Sequence, residues 1–192
     1  MPAQSSERAL PLAVTMGDPA GIGPEIVLKA YARRADRGLA PFAVYGCPKT
    51  LAERARLLGL DVAIGEISAP SDALSRFSSE LPVLPIAVAR EVKPGTPLPE
   101  NAMGTISAIE QAVRAVVAGD ASAVVTAPIA KAVLYAAGFI HPGHTEFLAA
   151  LAGSLVPGKR HHPVMMLASD VLRVVPVTIH VPLSDVPRAL SK

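Results

Sequence analysis

A single cysteine, no tryptophan and an aromatic share of only 4% are the first features of this 192-residue sequence. Cys47 alone leaves no internal disulfide, no cysteine-based zinc site and no CxxC redox pair, an economy that suits a reducing cytoplasm. A dominant charge is missing too. The 18 basic and 16 acidic residues leave a formal net charge of +2, dispersed in small groups such as Arg33-Arg34 and Arg54/Arg56. No basic stripe offers a nucleic-acid footprint. No apolar run reaches the ~20 residues of a membrane-spanning helix. The apolar stretch from Ala9 to Met16 contains Pro11 and lacks a cationic lead-in, which argues against a signal peptide.

What is present is core-forming material. Hydrophobic residues make up 51% of the chain and charged residues 18%, against about 45–50% and about 25% in ordinary globular domains. Most of the apolar residues are Ala, Val, Leu and Ile, a composition suited to helices packed closely on Val-rich parallel strands. Proline is abundant: 19 residues, about twice the usual ~5%. The length is compatible with one domain or with part of a larger protein, and residues 1–192 show no internal boundary, repeat or low-complexity tract.

Short apolar runs alternate with helix-period segments, which predicts an α/β plan. Leu12–Met16 reads as a buried strand, followed by a glycine-rich turn and a helix from about Pro24 to Arg34. Strands are expected at Phe42–Tyr45, near Val83–Val88 and at Ala123–Thr126. Helices are expected at Lys49–Leu58, closed by Gly59, at Met103–Ala118, ended by Gly119-Asp120, and at Ala130–Ala137. In the long helix, Ile106, Ile109, Val113, Val116 and Val117 recur at three- and four-residue spacing and mark its packed stripe. Recurring prolines make Ser68–Glu100 mostly extended connection. His141–Glu146 is expected to cap a helix running through Ala152, with His144 or Thr145 as the cap. Val164–Ala168 and Leu172–Thr178 read as two strands joined by a tight hairpin at Ser169–Val171.

Three segments carry chemistry. Gly17-Asp-Pro-Ala-Gly-Ile-Gly-Pro-Glu25 is either a tight strand-to-helix turn that needs glycine's flexibility or a loop that presents backbone donors to an anion; it matches neither a Rossmann fingerprint nor a P-loop. Gly143-His-Thr-Glu146 is either a plain helix start or a place where an imidazole, a hydroxyl and free N–H groups converge on a phosphate or carboxylate. His180 closes the apolar run Val177–Leu183, where it is either a core histidine satisfied by backbone groups or a ligand for a divalent metal. Lys131 follows the Val-Val-Thr strand and either meets an anionic substrate or stands exposed on a helix. His141, separated from His144 by proline and glycine, reads as non-ligating. His161-His162 reads as a solvated turn, and Cys47 and Met165-Met166 read as packing.

Taken together, Gly17–Glu25, Val125-Thr-Ala-Pro-Ile-Ala-Lys131, Gly143-His-Thr-Glu-Phe147, Met165-Met-Leu-Ala168 and Val177-Thr-Ile-His-Val-Pro-Leu183 resemble the PdxA family, the 4-hydroxythreonine-4-phosphate dehydrogenases of pyridoxal phosphate synthesis. The likeness runs along nearly all of the chain in the right order, and the five motifs together are highly specific. It implies an isocitrate/isopropylmalate dehydrogenase-like fold of two α/β domains, incomplete at the C-terminus. It also implies a homodimer with a shared active site, and oxidation of the substrate's C3 hydroxyl by NAD followed by decarboxylation, with a divalent cation (Zn, Mg or Co) as second cofactor. In that pattern His144 and Thr145 are substrate-binding and His180 is the first of three histidine metal ligands. Ala130 stands where the family commonly has a polar residue, which weakens a role for Lys131.

Family members continue well beyond Lys192, so the resemblance implies that the other two histidines and most cofactor contacts lie elsewhere and that this chain alone is inactive. Three other functions compete: a paralogous metal-dependent decarboxylating dehydrogenase of another substrate, a noncatalytic phosphate-ligand-binding or dimerisation module, and a phosphate acyltransferase on a related fold. His180 separates the last, because a transferase would not depend on it.

Overall fold

The computed structural model describes residues 9–158, 161–178 and 181–190. Its strands are β1 (Leu12–Thr15), β2 (Phe42–Gly46), β3 (Ile64–Glu66), β4 (Leu81–Pro85), β5 (Val124–Thr126), β6 (Leu167–Ala168) and β7 (Arg173–Val174). The helices are α1 (Gly23–Ala32), α2 (Pro48–Leu57), α3 (Ala73–Arg76), α4 (Ala102–Ala118), α5 (Lys131–Ala136), α6 (His144–Leu155) and α7 (Val186–Ala189). Strands β1 to β5 form one parallel sheet in the order β3-β4-β2-β1-β5, with Ala13 of β1 opposite both Ala43 and Val124.

The two-residue period of the strands sorts the core into layers. Val14, Phe42 and Val44 point to one face, where they meet Val27, Leu28 and Tyr31 of α1 and Leu51 of α2. Ala13 and Tyr45 point to the other and meet Ala108, Ala112 and Ala115 of α4. Alanine on both sides lets that helix approach the sheet closely. Its outer flank, Ile109 and Val113, is covered in turn by Phe147, Leu148 and Leu151 of α6. Burying one such aliphatic side chain is worth about 1.5–3 kcal/mol, and Leu28, Leu51, Leu81 and Ile109 are fully enclosed.

Helix ends follow the expected chemistry. Proline stands in the first turn of α1 and α2, where its missing donor costs no helical hydrogen bond. Gly119 closes α4 in the left-handed region at φ 79°, its N–H donating to the carbonyls of Ala115 and Val116.

The α/β plan with a parallel sheet is the one the periodicity predicts, and β1, β2, β5 and the helices α1, α2, α4 and α5 lie within a residue or two of their expected places. Other expectations are corrected. The stretch read as mostly extended connection holds α3, β3 just before it was not anticipated, and the strand expected near Val83–Val88 starts earlier, at Leu81. The β2–β4 register begins at Val44↔Val83, one residue after Pro82, so the donor that proline lacks falls outside that ladder. Val117 is 44% exposed instead of packed, because alanines take the sheet-facing positions of α4. The expected hairpin forms only as Leu167–Ala168 against Arg173–Val174, held at its turn by Ser169 N–H donating to Leu172 O at 2.8 Å. Among the described residues, no helix is long and apolar enough to cross a membrane.

Candidate functional site

β1 and β5 are neighbours in the sheet, yet the chain leaves them towards opposite faces, into α1 on one side and into α5 and α6 beyond α4 on the other. In open parallel sheets, ligands bind outside the carboxyl ends of strands at such a divergence. The glycine-rich turn at residues 17–25 and the turn that follows β5, residues 127–131, meet at this edge.

The glycine-rich turn is occupied by its own structure. Gly17 has φ 75°, and a Cβ there would overlap the carbonyl oxygen of Pro128. Asp18 N–H donates to that same carbonyl at 3.0 Å, and the buried Asp18 Oδ1 accepts from Ala20 N–H at 2.8 Å. Arg54, buried on α2, donates to Gly21 O at 2.9 Å and to Pro19 O at 3.3 Å. Of the two readings open in the sequence, these contacts support the packed turn. The guanidinium that could assist an anion is directed at backbone carbonyls. Arg54 was missed in the sequence reading; its only signal there is its place on the same helical face as Leu51 and Ala55.

The second segment is built differently. Gly143, not His144 or Thr145, is the N-cap of α6, and no side chain caps the helix. His144, Thr145 and Glu146 therefore form the first turn, whose backbone donors have no partner within the helix. Gly143 adopts an extended conformation, φ −175°, open to any residue; what glycine omits here is the side-chain oxygen that a serine or aspartate would supply. His144 is half-buried, and its Nε2 is enclosed without a hydrogen-bond partner. Burial, and secondarily the charge of Lys131, lower its pKa below the usual histidine value, so the ring is neutral at neutral pH. Thr145 is exposed and lines a groove of about 360 Å³ with Leu148, His161 and His162.

Lys131 begins α5, and its Nζ lies 3.5 Å from the point a Cβ on Gly143 would occupy. Tyr135 Oη, one turn on, donates to Pro142 O at 3.1 Å and ties α5 to the approach to α6. The structure thus brings Lys131, His144 and Thr145 to one helix start. His141 stands apart from them: its ring packs on Phe139 and Phe147 at 5.3 and 5.0 Å. His161, expected in a solvated turn, is half-buried and bonded to Val156 O at 3.0 Å, near the end of α6, while His162 is exposed. Cys47 is buried, as its packing role predicts, whereas Met165 and Met166 are exposed. His180 lies outside the described residues.

Known proteins are similar to this chain in sequence and fold. The family model described as pyridoxal phosphate biosynthetic protein PdxA matches residues 39–192. The 4-hydroxythreonine-4-phosphate dehydrogenase of Xanthobacter autotrophicus is 49% identical over 182 residues, 94% of this chain and 51% of that relative. A crystal structure of 4-hydroxythreonine-4-phosphate dehydrogenase from Burkholderia phymatum superposes with a TM-score of 0.82 at 30% identity, over 94% of this chain and 53% of that one. A terephthalate 1,2-cis-dihydrodioldehydrogenase from Burkholderia xenovorans LB400 superposes with a TM-score of 0.66 at 25% identity, over 95% and 52%. The chain spans about half the length of the curated relatives it matches. Matched by the family model along most of its length and nearly half identical to such a relative, the chain belongs to the PdxA family of pyridoxal phosphate biosynthetic proteins.

Proposed function

We propose that this chain supplies the phosphate-anchoring part of an NAD-dependent 4-hydroxythreonine-4-phosphate dehydrogenase acting in vitamin B6 synthesis. The observation that carries the reading is the start of α6: an uncapped helix turn with an enclosed, unpartnered His144 Nε2 and an exposed Thr145. The names of the relatives support the substrate. A phosphate monoester would accept hydrogen bonds from the free N–H groups and the Thr145 hydroxyl at the positive end of the helix. His144, neutral at neutral pH, would join as a hydrogen-bond donor. Holding the phosphate fixes the rest of the substrate for reaction at its C3 hydroxyl. NAD, when bound, would supply the hydride acceptor for that alcohol, whose proton would pass to the medium, and the resulting β-keto acid would lose its carboxylate as carbon dioxide.

Among the described residues, no group of three or more His, Cys, Asp or Glu side chains is placed to hold a metal ion. They do not by themselves make a site for zinc, magnesium or cobalt. His180 is proposed as one of three histidine ligands, with the others, and most NAD contacts, in polypeptide that the relatives have and this chain does not match. The reading includes an isocitrate/isopropylmalate dehydrogenase-like two-domain fold, a cytoplasmic homodimer with a shared active site, and inactivity of this chain alone. A second reading, a paralogue oxidising a different substrate, draws support from the likeness to the dihydrodiol dehydrogenase.

The test uses this chain with 4-phosphohydroxy-L-threonine, NAD and a divalent metal. No NADH should form, while the phosphate ester still binds, with affinity falling about tenfold or more in His144→Ala or Thr145→Ala. Steady turnover would overturn the expected inactivity, and binding unchanged in both variants would overturn the anchoring role. Selective binding of an unphosphorylated dihydrodiol would favour the second reading.

A further inference from the structure

We infer that the free edge of β5 and the apolar groove beside it are a docking surface for polypeptide of the relatives' unmatched half, which adds a strand to β5 and seats apolar side chains against α1. The two edges of the five-stranded sheet are finished differently. At the far edge, the outward carbonyl of Glu66 in β3 accepts from Arg76 Nη1 at 2.7 Å, and Ser68 and Ala69 N–H donate to Asp72 Oδ2 at 3.2 and 3.0 Å. Charge and side-chain bonding of this kind blunt an edge against further pairing. At the near edge no charged residue occurs from Ala121 to Ala130. Among the described residues, β5 pairs with β1 alone. Ala13 N–H donates to Ala123 O at 2.9 Å, so alternation along the strand turns the N–H and C=O groups of Val124 and Thr126 to the open side.

The face of the sheet shows the same gap. Strands of a parallel sheet are ordinarily covered on both faces. Val14 and Val125 are paired and point to the same face, which α1 covers over β1 but not over β5. There Leu12, Val14, Ile26, Val27, Leu39 and Val125 line an open groove of about 430 Å³, with Ile26 and Val125 each 46% exposed. A strand on the edge satisfies the outward backbone groups, and the apolar element that accompanies it fills the groove, so one stretch of α/β polypeptide meets both needs. This chain covers 51% of the Xanthobacter autotrophicus relative, and about half of that protein therefore has no counterpart here. A second copy of this chain is a poorer fit. Pairing β5 to β5 about a two-fold axis would join two such grooves into one and cover neither. Because β5 leads into the turn at 127–131 and then α5, a strand on its edge also steadies the stem of that turn.

The experiment compares amide hydrogen exchange in this chain and in a fusion of residues 1–192 to the portion of the Xanthobacter autotrophicus relative that continues beyond its match. The Val124 and Thr126 amides should exchange as open-edge groups in this chain and slow by about tenfold or more in the fusion. Val125→Lys and Ile26→Lys, both on the exposed wall of the groove, should leave the melting of this chain nearly unchanged and lower that of the fusion by about 4 °C or more. Unchanged exchange at Val124 and Thr126 in the fusion overturns the inference. So do equal effects of the lysine variants on both proteins, or a fusion that does not unfold cooperatively. Protection of the two amides in this chain that disappears on dilution would assign the edge to a second copy and overturn it likewise. None of these outcomes depends on phosphate binding at α6 in this chain, so failure here leaves the anchoring reading standing.

Discussion

Strand β2, Phe42–Gly46, is buried at every residue, while β6 and β7 of the C-terminal hairpin are exposed at every one. The two regions are written in similar residues. Val171, Val177 and Leu183 nevertheless stand 94%, 86% and 86% exposed. β2 has β1 and β4 on its edges, α1 and α2 on one face and α4 on the other. Among the described residues, β6 and β7 pair only with each other, over two residues apiece. Apolar side chains fix a strand only where neighbours on edges and faces remove them from water, and a lone two-stranded ribbon is marginal. Contiguous exposed apolar surface of this kind generally marks a contact face.

The sharpest way to break this contrast is to cut into the packed half. Leu51 on α2 is fully enclosed, and Leu51→Ala should cost about 2–5 kcal/mol through lost burial and the cavity left behind. Urea unfolding followed by circular dichroism would show a lower midpoint with an unchanged slope. A loss below about 1 kcal/mol would mean that the α1–α2 layer collapses around the deletion and is not the close-packed region described.

Alkaline titration probes the same half through Tyr45 of β2. Burial, with a smaller contribution from Asp120, pushes its phenol up to about 12 from the ordinary 10. The folded state holds this proton more tightly than the unfolded chain does. Stability from this residue is therefore undiminished below pH 10 and falls as pH rises from 10 to about 12, by roughly 3 kcal/mol. Tyr31, also raised by burial, adds to the decline. Tyr45→Phe should flatten the part due to Tyr45; an unaltered alkaline profile would show that water reaches this hydroxyl.

The same contrast explains what could be read from the sequence. β1, β2 and α4 were legible because each is long enough to display its period and is bounded by glycine or proline. β3 and α3, three and four residues long, carry no countable period. The choice between a packed glycine turn and an anion loop was illegible because Arg54 and Pro128, which hold the turn, come from distant sequence. His144 and Thr145 were legible as a chemical pair from Gly143-His-Thr-Glu146. The cap was assigned to the wrong residue, since composition rules favour a threonine over Gly143, and the enclosure of Nε2 depends on tertiary packing. The hairpin's pairing was anticipated, whereas its exposure was not, because an apolar run names a preference for burial without naming the partner that satisfies it.

The mildest expected effect lies in that hairpin. Val171→Ser, at its most exposed large apolar residue, should change the unfolding free energy of this chain by no more than about 0.5 kcal/mol, because a side chain already in water surrenders no burial when shortened. Differential scanning calorimetry against the unaltered chain measures this directly. A destabilisation above about 1 kcal/mol would place Val171 in a packed environment and erase the distinction between the two regions. A null effect here beside a large one for Leu51→Ala would show that the stability of the chain resides in the five-stranded sheet and its helices.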